Sequence, residues 1–385
     1  MLAICNANLV LETGILWDAT LLIDKGRIVS FGKNIDIPAD AQLLDAKGAY
    51  VGPGFVDIHV HGGGGYLTYT DPLKTAEFHL GHGTTTILCV PDYSLPFADF
   101  LQAICKGKEA MSADGAGKAI AGFYMEGPYM NPKYGALAFR NPWRHPLNPE
   151  EYKALVDEAG TLAKVWAIAP EREGLRPFLE YARKVNPDVQ FAIGHSEATP
   201  DQIRALGNKY RPMLQTHCTN ATGRTNAMAG IRGTGPDEYC LKDSEVYAEL
   251  ISDSCAIHVR PDMQQLIIHC KGIDKVILIT DSTVYDGNCP PELTHVPDIN
   301  FDEQGGVCGS KLTMEQACRN IMTHTNCGIT QAFLMASRNP ARAIGLDHEV
   351  GTIAIGKKAN LVIVDDRFNI KQVLLEGICV GTSAD

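Results

Sequence analysis

The chain has 385 residues, 45% hydrophobic and 21% charged, with a formal net charge of −11. Its 34 Lys and Arg against 45 Asp and Glu speak against general nucleic-acid affinity, which needs concentrated basic residues; no stretch approaches the roughly 18 apolar residues of a membrane span. A chain this long buries roughly three-quarters of the surface its unfolded form exposes, so it needs no structural metal, and any metal is there for chemistry.

The first residues, Met1-Leu2-Ala3-Ile4-Cys5-Asn6, lack a basic segment followed by an apolar core. The 12 cysteines are scattered without a C-x-x-C pair, which reads as free thiols in a reducing cytoplasm. Cys218, beside a His of interest, reads as a small buried hydrophobe. Residues 2 to 50 form short strands and turns, with Thr20-Leu21-Leu22-Ile23 and Arg27-Ile28-Val29 joined at Asp24-Lys25-Gly26. The far end has the same texture, in Asn360-Leu361-Val362-Ile363-Val364 and Gln372-Val373-Leu374-Leu375. Both termini are therefore expected to fold into one small β domain, residues 1–53 with 351–385.

Between them, across 54–350, short apolar runs alternate with helix-like segments: Phe55–His59, Thr85–Val90, Ile120–Glu126, Val165–Pro170, Phe191–His195, Met213–His217, Glu249–Ile251 and Val276–Asp281. Eight β-then-α units predict a (β/α)₈ barrel of α/β class, with chemistry at the C-terminal strand ends; a doubly wound open sheet shares the alternation. The polar residues favour the barrel. His59 with His61, Glu126, His195, His217 and Asp281 sit at or just past the same end of different predicted strands, where charge is otherwise excluded.

His59 and His61, two apart on an extended segment, point to one side and suit metal chelation. Glu126 ends an apolar run and would be costly to bury without a cation; a salt bridge to Arg is the plainer alternative. His195 and His217, each ambiguous alone, make with Glu126 a three-ligand set with room for water. Asp281 at a strand mouth suits proton transfer, ahead of a helix N-cap. Gly62-Gly63-Gly64-Gly65 lacks the G-K-[ST] ending of a phosphate loop and reads as flexible backbone beside the metal. There is no G-x-S-x-G elbow and no dinucleotide fingerprint.

Pro53-Gly54-Phe55-Val56-Asp57-Ile58-His59-Val60-His61-Gly62 resembles the opening of the amidohydrolase superfamily. Met125-Glu126-Gly127-Pro128, Gly194-His195-Ser196-Glu197-Ala198-Thr199, Thr216-His217 with Asn220-Ala221, Ile251-Ser252-Asp253 leading to His258, and Cys308-Gly309-Ser310-Lys311-Leu312-Thr313-Met314 resemble its N-acetylglucosamine-6-phosphate deacetylase family. The resemblance spans nearly the whole chain. It implies the (β/α)₈ barrel with a small β-sandwich from both termini, and one divalent ion on Glu126, His195 and His217. It implies one or two ions per subunit, with His59 and His61 helping to hold the second where there is one: zinc first, with iron, manganese or cobalt as alternatives.

The implied reaction is deacetylation of an N-acetylated amino sugar carrying a phosphate. A water of lowered pKa attacks the amide carbonyl, Asp281 carries its proton to the amine, and His258 polarises the carbonyl or steadies the oxyanion. The backbone at Asn220 and Ala221 would contact the sugar phosphate, and a homodimer is implied. Two segments depart from the family. Leu137 stands where a substrate-contacting His is usual, and the segment after Ala221 differs, leaving Arg232 and then Arg224 as phosphate candidates. Altered recognition is therefore expected: N-acetylglucosamine 6-phosphate or a close analogue stands first as substrate, with an epimer or an unphosphorylated sugar as the alternatives. Another N-acyl or cyclic amide hydrolase on the same barrel is the second reading, and a non-catalytic scaffold the third.

Overall fold

The computed structural model describes residues 1–136, 138–223, 233–285 and 287–380. Eight parallel strands follow one another around a barrel: Phe55–Val60, Thr84–Cys89, Ile120–Met125, Ala163–Ile168, Gln190–Ile193, Leu214–Gln215, Tyr247–Leu250 and Val276–Leu278. Each overlaps one of the eight runs read from the sequence. The first two, FVDIHV and TTTILC, are buried at every position, as strands covered on both faces must be.

The ring closes between the first strand and the residues after the eighth. Val60 bridges Ser282, Asp281 N–H donates to the His59 carbonyl at 3.1 Å, and His61 N–H to the Ser282 carbonyl at 2.9 Å. This closure, absent from an open sheet, brings Asp281 against His59 and His61.

Helices cover the outside, and their starts are chemically marked. Asp71, Asn148 and Thr199 each cap a helix whose first residue is a proline (Pro72, Pro149, Pro200), their side chains accepting main-chain N–H groups. In Leu175–Val185, Leu175, Phe178, Leu179 and Ala182 form the buried stripe, and Phe178 packs on Trp166 at 5.2 Å between ring centroids.

A second sheet also has eight strands, five from the N-terminal 53 residues and three from Leu361 onward. The long strand Leu2–Leu11 organises it. One edge pairs with Gly14–Asp24; the other takes Gln42–Asp45 in its first half and Tyr50–Pro53 in its second. Tyr50–Pro53 in turn pairs with Leu361–Val364, joining the two ends of the chain. Its own core includes Ile4, Leu9, Leu21, Ile28, Val51, Leu361 and Leu374. The hairpin between Asp24 and Arg27 turns on Lys25 and Gly26, both at positive φ, 48° and 76°. All 12 cysteines are free, and Cys218 is buried as expected. Among the described residues no helix is long and apolar enough to cross a membrane.

Candidate metal and active site

The site stands at the C-terminal mouth of the barrel, where the polar strand ends were expected to converge. Glu126 lies at its centre. Its Oε1 is 2.9 Å from His195 Nε2 and 3.1 Å from His217 Nε2; its Oε2 is 3.0 Å from His61 Nε2 and 3.4 Å from His59 Nε2. Asp281 Oδ1 faces His61 Nε2 at 3.4 Å and His59 Nε2 at 3.6 Å. Two groups thus have ligand atoms clustered closely enough to hold an ion each, Glu126 with His195 and His217, and His59 with His61 and Asp281.

The donor set fits a divalent cation. His195 Nε2 and His217 Nε2 face each other at 3.1 Å around one carboxylate oxygen. Atoms that share a tetrahedral ion at about 2.0–2.1 Å are themselves roughly 3.3 Å apart. Glu126 and Glu249 are buried here, and no Lys or Arg is among the described residues lining the cavity. Such a concentration of carboxylates needs positive charge.

The imidazoles register that demand. Burial pushes His59 toward neutrality, yet the carboxylates of Glu126, Glu249 and Asp281 raise its pKa well above the ordinary value. His217 is raised too, Glu126 outweighing burial, whereas burial prevails at His195 and lowers it. Burial alone would raise the Glu126 carboxyl; the facing His59, His195 and His217 hold it well below the usual range. Asp57 is pushed up to about 7 by burial, against hydrogen bonds from Thr280 and the His59 N–H.

Three of these residues hold left-handed backbone: His195 at φ 46°, His217 at 27° and Asp281 at 49°. Such conformations cost roughly 1 kcal/mol or more each for residues with a β-carbon, and they aim the side chains across the barrel mouth.

The mouth opens into a cavity of about 380 Å³, within the range of small-molecule sites. His258 lines it. Asp253 Oδ2 accepts from the His258 N–H at 2.9 Å and faces its Nδ1 at 3.2 Å, leaving Nε2 buried without a hydrogen-bond partner among the described residues. Asn220 and Ala221 also line the cavity, but the Asn220 side-chain amide is committed to the His258 carbonyl at 2.8 Å. Its side chain therefore fixes the His258 loop, and its carbonyl oxygen, its second amide hydrogen and the backbone are left to face a ligand. Leu137, Arg224 and Arg232 lie outside the described residues.

Several contributors were missed in the sequence. Asp92 and Tyr93 follow the second strand, Thr283 and Tyr285 the eighth. Asp302, Val307, Cys308 and Gly309 arrive on the hairpin Ile299–Phe301/Val307–Ser310, tied to the site by the Ser310 N–H donating to the Asp281 carbonyl at 2.9 Å. Below the mouth, Tyr124, Thr216 and Glu249 form a buried network. A charged Glu within Tyr247-Ala248-Glu249-Leu250 was the available signal. Gly62–Gly65 is structural: a β-carbon on Gly63 would lie 2.6 Å from Phe78, so glycine there lets the helix Pro72–Gly81 approach.

The chain belongs to the amidohydrolase family, whose pattern matches residues 50–380. Within it, the chain is 29% identical over 387 residues to N-acetylgalactosamine-6-phosphate deacetylase of Escherichia coli O157:H7, covering 96% of this chain and 97% of that one. The crystal structure of N-acetylglucosamine-6-phosphate deacetylase from Pasteurella multocida superposes with a TM-score of 0.83 at 25% identity, covering 98% of both chains. A mutant of the Mycobacterium smegmatis enzyme in complex with N-acetyl-D-glucosamine-6-phosphate gives 0.81 at 26% identity, again over 98% of both.

Proposed function

We propose that this protein is a metal-dependent deacetylase that hydrolyses the acetamido group of an N-acetylated amino sugar 6-phosphate, giving acetate and the free amine. The observation that carries the reading is the placement of Asp281: its Oδ1 faces His61 Nε2 at 3.4 Å while the residue lines the same cavity as His258, Asn220 and Ala221. The relatives named above act on this class of substrate, and the similarity extends over nearly the whole of each chain.

Glu126, His195 and His217 would hold one divalent ion, zinc first among the candidates, and His59 with His61 and Asp281 a second. Such an ion lowers the pKa of water toward neutrality and polarises the amide carbonyl. Asp281 then accepts the proton of the attacking water and returns it to the departing nitrogen. With Nδ1–H given to Asp253, the His258 Nε2 carries a proton only as imidazolium. In that form it donates to the developing oxyanion or to a substrate oxygen. Asp92 gives the same cavity a buried carboxylate whose only hydrogen bond among the described residues is from Ser94 N–H at 2.7 Å, an acceptor suited to sugar hydroxyls.

Arg232 and Arg224 remain the phosphate candidates. A homodimer, a cytoplasmic setting and a division of the chain at 53/54 and 350/351 complete the reading. The test is acetate release from the 6-phosphates of N-acetylglucosamine and N-acetylgalactosamine and from both free sugars. Turnover of a phosphorylated sugar above its free counterpart supports the reading; turnover of neither, with hydrolysis of another N-acyl compound, replaces it.

A further inference from the structure

One fully buried carboxylate of the barrel belongs to none of the residues assigned above as ligands or proton carriers. Glu249, on Tyr247–Leu250, has no exposed surface. Its Oε1 accepts from Tyr124 Oη at 3.0 Å, and that phenol also meets Thr216 Oγ1 at 2.6 Å. Its Oε2 lies 3.5 Å from His59 Nδ1, and among the described residues neither atom has a closer polar partner. Burying an ion here is costly unless another group demands it. The apolar fillers usual in such a barrel would avoid that cost.

The demand comes from His59. Its Nε2 faces Glu126 Oε2 at 3.4 Å and Asp281 Oδ1 at 3.6 Å on the side of the cavity, so Glu249 meets the ring from the opposite side. A carboxylate at Nδ1 keeps the proton there and leaves the Nε2 lone pair directed at the cavity, the form that ligates a cation. His195 and His217 also bury their Nδ1 atoms, but neither has a partner for that nitrogen among the described residues. Among these three buried imidazoles the device is specific to His59. Glu249 also adds a negative charge beside a group otherwise supplied by Asp281 and one oxygen of Glu126.

We infer that Glu249 is a positioning residue that, through His59, commits the His59–His61–Asp281 group to a divalent ion of its own. The inference rests on the reading of Glu126, His195 and His217 as the ligands of a separate ion. Metal-stripped full-length protein titrated with Zn²⁺ tests it, with bound metal counted by mass spectrometry and affinities read by chelator competition. The wild type should take up two ions. Glu249→Gln, close in shape but uncharged, should keep the first affinity and lose about 10- to 100-fold in the second. Glu249→Asp, which withdraws the carboxylate from the ring, should weaken the same step and serves if the first variant does not fold. A second affinity unchanged in a folded variant, or a wild type saturating at one ion, overturns the inference. That outcome leaves the proposed deacetylation standing; two ions bound without acetate release would remove the reaction and leave the role of Glu249 intact.

Discussion

Glu126 turns Oε2 to within 3.0 Å of His61 Nε2 while its other oxygen stands 2.9 Å from His195 Nε2, so a single buried carboxylate links both ligand groups. Removing it should disable both. Glu126→Gln is expected to lose bound metal and to reduce acetate release by at least about 100-fold, with added Zn²⁺ restoring little. Metal content measured beside activity checks this, and a variant that keeps its full metal would separate Glu126 from ion binding.

Asp281→Asn should separate chemistry from recognition. As proton carrier, Asp281 contributes roughly 100- to 10,000-fold to the rate. Its loss should fall on kcat, with KM for the sugar phosphate changed only a few-fold. A rise in KM with kcat preserved would make Asp281 a binding residue only.

Asp92→Asn tests the carboxylate that Asp92 brings to the cavity. The amide keeps the acceptor for the Ser94 N–H but loses the charge that a sugar hydroxyl would meet. The ratio of kcat/KM between the gluco and galacto 6-phosphates should change by about tenfold, in line with one charge-assisted hydrogen bond. An unchanged ratio would remove Asp92 from specificity.

His79 gives the fold an acid limit. Burial lowers its pKa from 6.5 to about 4, and its Nε2 meets the Gly62 carbonyl at 3.0 Å. The folded state thus favours neutral imidazole. Its contribution is complete above pH 6.5, declines as pH falls through that window, and is lost by about pH 4. The loss is on the order of 3 kcal/mol. His79→Gln, which does not titrate, should flatten the decline in Tm between pH 7 and 4.5; parallel profiles would count against the role of His79.

The junction between the sheet of the termini and the barrel is tightly filled. Phe55, Phe333 and Phe368 stack with centroids 5.2–6.3 Å apart, and a β-carbon on Gly52 would lie 2.2 Å from the Phe333 ring. Gly52→Ala should therefore cost about 1–3 kcal/mol in chemical denaturation.

The eight barrel strands were legible as short apolar runs alternating with helix-like segments, and five of them run into a polar residue that an apolar run would not otherwise carry. His59, His61, Glu126, His195, His217 and Asp281 were found the same way, one strand end at a time. Closure between Val60 and Ser282 was not legible, since hydrogen bonding between the first and last strands leaves no local pattern. Asp281 was accordingly read as a proton carrier and not also as a neighbour of His59 and His61. The contributors on the hairpin, Asp302 and Cys308 among them, come from a loop whose position is set by tertiary contacts. Asp253 was noted only in the stretch leading to His258 and given no role, because His258 lies five residues on, around a turn without helical or strand periodicity.

The most direct test is acetate release by metal-stripped protein before and after reconstitution with Zn²⁺, using N-acetylglucosamine 6-phosphate and its galacto epimer. We expect negligible release from the stripped protein and restored turnover of at least one epimer after reconstitution, abolished again in Asp281→Asn. Equal turnover with and without metal, or none of either epimer by fully loaded protein, would show that the assembly around Glu126 does not serve this reaction.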